Sequence, residues 1–347
     1  MMKIGLMIGY SGGKVQLPMD LILEAEAAGF DSVWSAEAWG SDAITPLAWI
    51  LARTTKLKAG TAICQIPART PANMAMTAMT LDQLSGGRFI LGVGPSGPQV
   101  VEGWYGNAYG KPLARSKEYV EIIRKILARE KPLTHDGEHY QIPFNGPGST
   151  GLGKPLKSIL HGDPSLPIYT ASFTPAGVTM AAEIADGFFP VWMNPERFDL
   201  FDAPIKAGFS KAGNGKSLDN FDVAPFVRMS MGDDIAECRM KIKHGLALYI
   251  GGMGARNKNF YNDYAKMAGY EEAAVKIQDL FLAGAKDAAA KAVPDQLVDE
   301  TALVGPAGHI REQLTLWKAA ADRKQVGTMI VAVNNAQEAR FLAEELL

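Results

Sequence analysis

Cysteine is scarce in this chain: 347 residues contain two, Cys64 and Cys238. Two cysteines cannot build a disulfide framework, neither has a neighbour at metal-ligand spacing, and both suit a reducing compartment. No run of about 18 apolar residues is present, which excludes a membrane-spanning helix. A charged stretch leading into an apolar one is also missing from the amino end, so the cytosol is the expected location. Neither sign of charge dominates. Lys and Arg number 35 against 37 Asp and Glu, the net charge is −2 and the pI is near 6.2. That balance leaves no electrostatic footprint for nucleic acid or an anionic membrane. No Ser/His/Asp order, G-x-S-x-G or Cys/His pair can be defended either. His135 and His139 have H-x₃-H spacing, but Gly137 lies between them in a predicted hairpin and no third ligand is near, so no metal site is expected. His161, His244 and His309 are isolated.

What the chain does have is apolar bulk: 47% hydrophobic and 21% charged residues, enough for a large core and too little charge for disorder. Short apolar runs alternate with helical patterns. Strands are predicted at Ile4–Gly9, Ser32–Ala36, Leu57–Ile63, Phe89–Val93, Pro167–Ala171, Gly187–Val191, Val223–Ser230 and Gly327–Val333. Helices are predicted at Pro18–Ala28, Ile44–Arg53, Ala72–Leu84, Ser116–Ala128, Pro175–Ile184, Pro195–Ala212, Asp234–Ile250 and Ala307–Ala321. Eight near-equal βα units without a composition break favour a (β/α)₈ TIM barrel, in one domain over 1–347, against a doubly wound sheet. Two segments exceed a minimal barrel. Residues 130–165 read as a hairpin plus a long loop, and residues 251–304 as an Asn/Tyr-rich tract plus an Ala-rich helical stretch. Insertions after strand ends sit over a barrel's mouth, where substrate walls are built, and Tyr10–Gly13 would join them there.

The stretch from Gly60 to Trp104 carries the densest signal. Two strands apolar on both faces flank a helix opened by Pro71 and closed by Gly86-Gly87, and the glycine- and proline-rich loop 94–103 follows. Gly92, Gly94 and Gly97 spell G-x-G-x-x-G. A dinucleotide fold would place that motif after the first strand and follow it with a ribose-binding acid. Here it follows the fourth strand, Pro95 and Pro98 interrupt it, and no such acid appears. It reads either as a loop whose amides and Ser96 hydroxyl face a phosphate, or as a tight βα turn needing positive φ. A second candidate anion site runs from Thr170 through Ser172, Phe173 and Thr174 to Pro175 and Gly177, a strand end leading into a helix start. Plain capping by Thr174 is the alternative. Glu37 and Trp39, just past the second strand, can face a bound ring system, or Glu37 can cap or pair locally. Asp42 reads as the N-terminal acid of the next helix.

The runs AEAWGSDAITPLAWILARTTKLKAGTAI, RTPANMAMTAMTLDQLSGGRFILGVG and VVEGWYG, together with PIYTASFTPAGVTMAAEIADG, resemble the bacterial luciferase-like superfamily, specifically its branch that uses coenzyme F420, an 8-hydroxy-5-deazaflavin. The resemblance implies a (β/α)₈ barrel, usually dimeric, that passes hydride between C5 of the deazaflavin and a small organic substrate. It implies a non-prolyl cis peptide at Ala62-Ile63 behind the deazaflavin ring. It assigns the coenzyme's side chain and phosphate to Gly94, Ser96 and their loop, with Ser172, Phe173 and Thr174. Glu37 falls where relatives place a residue beside the ring, so Glu37 or Trp39 is expected to shape the substrate side. Relatives often have Asp-His there and this chain has Glu37-Ala38, which leaves the proton donor unassigned. A flavin mononucleotide (FMN) monooxygenase of the same superfamily is the alternative activity, and a coenzyme-binding barrel without turnover is a third.

Overall fold

The computed structural model describes residues 2–172 and 174–347. Its centre is a ring of parallel strands: β1 (Lys3–Gly9), β2 (Ser32–Ser35), β3 (Lys58–Thr61), β4 (Phe89–Gly94), β5 (Ile168–Ala171), β6 (Gly187–Phe189), β7 (Asp222–Val223 continuing as Phe226–Met231) and β8 (Thr328–Ala332). β1 pairs with β2 and β8, and the pairings then run in order from β2 to β6. β7 closes the ring: its first half pairs with β6 and its second half with β8. The Ala224 amide donates to the Phe188 carbonyl at 2.9 Å, and the Gly327 and Ile330 amides donate to the Val223 and Pro225 carbonyls at 3.0 Å each. The predicted unbroken strand Val223–Ser230 is thus interrupted at Ala224-Pro225, because Pro225 has no N–H to give the ladder.

Local signals set the connecting helices. Thr70 caps the helix Pro71–Ser85 by accepting from the Asn73 amide at 3.3 Å, and Gly86 ends it in the left-handed region at φ +69°. The predicted loop 94–103 winds instead into a short helix, Pro98–Gly103, because Pro98 is preset for a first helical position. Residues 130–165 hold the expected hairpin, His135–Asp136 against Gln141–Ile142. The second long segment holds the expected Ala-rich helical stretch, within four helices between Phe260 and Thr301, and adds a parallel strand, Ala302–Gly305, that pairs with Arg228–Met231 beyond the ring. A final helix, Ala336–Leu346, was not predicted.

The barrel interior is filled from below. Trp34, Tyr169 and Phe189 pack edge-on and tilted at centroid distances of 5.4–5.7 Å. Gly5 and Gly60 flank Trp34, and a Cβ on either would run into its indole. The Tyr169 hydroxyl donates to Asp222 at 2.8 Å, as the Thr328 hydroxyl does at 2.6 Å. A main apolar layer lies between strands and helices, and a second core, built on Leu246, Ile250, Ile277 and Val298, lies under the helices that follow β7. Among the described residues no helix is long and apolar enough to cross a membrane.

Candidate active site at the barrel mouth

The carboxyl ends of β2 to β5 and of β8 form a shelf of mostly small residues. Ala62, Ile63, Ala171 and Ala332 lie half-buried against the interior cluster, and Ala36 continues the inward face of β2. The Ala62-Ile63 peptide is cis, as expected at this position. Thr61 locks β3 to β4, its hydroxyl donating to the Gly92 carbonyl at 2.7 Å and accepting from the Gly92 amide at 2.8 Å. A Cβ at Gly92 would overlap the Thr61 carbonyl, and one at Gly94 would press on Ile63 Cδ1 at 2.9 Å. The two glycines of the motif therefore permit close strand packing. Ser96 sits just beyond at φ +62° and accepts from Gln65 Nε2 at 2.9 Å, while the Tyr105 hydroxyl donates to Gln65 Oε1 at 2.7 Å.

Glu37 is buried, with its carboxylate enclosed by four donors. Arg69 grips it bidentately at 2.6 and 3.0 Å, the Gln65 amide donates at 2.8 Å and the Ala43 amide at 3.1 Å. Its oxygens are committed to protein donors, of which only the Ala43 amide is near it in sequence. Burial disfavours the Arg69 charge, but the hydrogen bonds and charge of Glu37 outweigh it and raise the guanidinium's pKa. Burial and then the Glu37 charge push the neighbouring Cys64 thiol up. Trp39 is 55% exposed. Asp42 accepts from the Ile44 and Thr45 amides at 2.9 and 2.8 Å, as its position predicts.

At the end of β5, Thr174 caps the helix Pro175–Ile184, accepting from the Gly177 amide at 3.1 Å. Ser172 Oγ lies so close over Gly177 that a Cβ there would collide with it. Phe173 lies outside the described residues. His135 and His139 sit on the predicted hairpin, where Glu118 holds His135 Nε2 at 3.2 Å and accepts from the His139 and Tyr140 amides at 3.0 Å each.

The opposite side of the mouth, over β6, β7 and β1, is aromatic. Trp192 follows β6 at φ +41° and stands 5.5 Å from Tyr261 and 6.2 Å from Tyr249, whose own rings meet edge-on at 4.7 Å. Tyr249 lies near the end of the helix Ile235–Gly252, with Tyr10, the residue after β1, close enough to push its hydroxyl pKa up further than burial alone does.

A profile of the luciferase-like monooxygenase family matches residues 2–324 of this chain. The chain belongs to that family. It is 45% identical over 344 residues to a Mycobacterium tuberculosis protein named "putative coenzyme F420-dependent oxidoreductase", covering 99% of this chain and 98% of that one. It is 28% identical to 5,10-methylenetetrahydromethanopterin reductase of Archaeoglobus fulgidus, over 93% and 92% of the two chains. In structure it resembles the coenzyme F420-dependent tetrahydromethanopterin reductase of Methanopyrus kandleri, with TM-score 0.78, 21% identity and 99% and 98% coverage.

In this luciferase-like barrel several mouth residues escape a reading of the sequence. Arg69 and Gln65 are 32 and 28 residues from the carboxylate they hold, so no local pattern announces them. Trp192, Tyr249 and Tyr261 come together only when the helices after β7 fold back. The Tyr-rich tract in residues 251–304 was the one available hint.

Proposed function

We propose that this luciferase-like chain is a coenzyme F420-dependent oxidoreductase that moves a hydride between the deazaflavin and a small organic substrate. The observation that carries the reading is the 45% identity, over nearly the whole of both chains, to a relative named for that coenzyme. The mouth suits the group. A ring of residues no larger than alanine at 36, 62, 94, 171 and 332 leaves room for a flat tricycle, and a Cβ at Gly94 would crowd Ile63. The coenzyme, when bound, supplies the hydride acceptor or donor at its C5.

The protein's own residues have simpler tasks. Ala62, Ile63 and Ala171 back one face of the ring and keep solvent from that face. Ser172, Thr174 and the first amides of the helix Pro175–Ile184 receive a phosphate, with the helix N-terminus favouring its charge. Gln65, clasped between Ser96 and Tyr105, fixes the loop beyond β4. Glu37 acts through Arg69 and the Gln65 amide and is a positioning residue. Trp39 stands at the rim on the substrate side.

The test is a titration of the purified chain with F420 and, separately, with FMN, following quenching of each coenzyme's fluorescence. F420 should bind saturably, Ser172→Ala should weaken it, and FMN should compete poorly. Preferential binding of FMN would overturn the proposal in favour of a flavin monooxygenase.

A further inference from the structure

The aromatic side of the mouth holds a cation whose charge no carboxylate answers. On β7 the interior-facing residues are Ala224 and Phe226, which pack with Ile330 and Ala332 of β8 inside the ring. Arg228 is the next on that face, and its register partner in β8 is Ala332. Parallel partners point to the same side of a sheet, so Arg228 rises from the mouth end of β7. Its half-buried guanidinium lies directly against Gly245, where any Cβ would collide with it. Gly245 and Tyr249 sit one turn apart on the same helix, so the cation and the tyrosine share a wall. Burial, then Tyr10, push the Tyr249 hydroxyl up to about 12, and Arg228 is the group that pulls it back down.

The other half-buried arginines are all answered by the protein. Arg69 pairs with Glu37, Arg124 with Asp186 and Arg239 with Asp299, while Arg88, Arg115 and Arg129 donate to backbone carbonyls. Among the described residues no acidic side chain pairs with Arg228. A half-buried guanidinium without an anion gives up hydration and regains little of it, so an arriving carboxylate would supply a charge-assisted, bidentate partner. The surrounding rings of Tyr10, Trp192, Tyr249 and Tyr261 offer flat apolar walls to the body of such a molecule.

We propose that Arg228 and this aromatic wall form a substrate subsite for an organic anion, a carboxylate carried on a flat unsaturated or aryl skeleton. The inference rests on the coenzyme reading only in placing the substrate opposite the small-residue shelf. Arg228 selects by charge and the aromatic rings select by shape.

The experiment compares cinnamate with its neutral isostere cinnamamide by calorimetry, on chain free of F420 and saturated with it. Cinnamate should bind at least about tenfold more tightly. Arg228→Gln should erase the preference, Arg228→Lys should keep part of it, and the F420 affinity of both variants should match the parent. Equal binding of the two probes, or no binding of either, overturns the proposal without reference to any variant. So does an Arg228→Gln protein that loses F420 but keeps the cinnamate preference, since the anion at Arg228 would then be the coenzyme's own. A chain that ignores F420 yet retains the charge preference sinks the coenzyme reading and leaves this subsite standing.

Discussion

Replacing Glu37 with Gln separates a brace from a catalyst. The carboxylate takes two N–H groups of Arg69 and the amides of Gln65 and Ala43. An amide offers one acceptor oxygen and one donor nitrogen, so whichever way it turns, two donors end facing a donor. Removing one member of a buried ion pair costs about 3–5 kcal/mol. The Arg69 side chain keeps 19% of its exposure and recovers some hydration, which moves the expectation to the lower end, about 3 kcal/mol. Urea unfolding should therefore show a lower midpoint at unchanged slope. Adding Arg69→Met to Glu37→Gln should cost little more than Glu37→Gln alone, because the stranded guanidinium goes with it. Coenzyme affinity should fall too, since Gln65 is no longer anchored. A Glu37→Gln protein within about 0.5 kcal/mol of the parent that has nevertheless lost turnover would refute the brace and make Glu37 a proton-transfer group.

Other expectations follow from the packing. Gly92→Ala drives a methyl into the Thr61 carbonyl and should leave no soluble native protein. Gly60→Ala meets the Trp34 ring, and should lose about 1–3 kcal/mol or more in urea that Trp34→Phe partly restores. For Glu118, burial raises the carboxyl pKa, but the His139 and Tyr140 amides and His135 outweigh it and hold the pKa below 4.5. A depressed carboxyl stabilises the fold above its unfolded pKa and loses that stability as pH falls through the folded value. Amide exchange in the hairpin 135–142 should therefore accelerate below pH 4.5 ahead of the barrel strands, and uniform exchange across both would contradict this. Both cysteines are buried and the Cys64 pKa is pushed up by burial and the Glu37 charge. A thiol reagent at mildly alkaline pH should find neither until denaturant is added.

The barrel was legible because its signals are local. Strands apolar on both faces, Pro71 and Pro175 at helix starts and Gly86 at a helix end need no tertiary information. The break at Pro225 was visible in principle but hidden inside an apolar run. The strand Ala302–Gly305 is only four residues long and follows a helix directly, so neither length nor spacing separates it from its neighbours. At the site, glycines and hydroxyls at strand ends are local signals too, and they direct attention to the ends of β2 to β5. Glu37 was singled out for its position, yet its chemistry depends on Arg69, which only the folded chain brings near. Arg228 reads as an ordinary strand arginine until the helix carrying Gly245 and Tyr249 is laid across it.

If a deazaflavin lies flat on the small-residue shelf, occluding that shelf should expel it. Ala171→Leu adds bulk to a half-buried position at the end of β5 without touching the Glu37 brace or Arg228. Measured by fluorescence titration on protein whose circular dichroism and urea midpoint match the parent, F420 affinity should drop about tenfold to a hundredfold. Unchanged F420 affinity in that folded variant would place the coenzyme elsewhere.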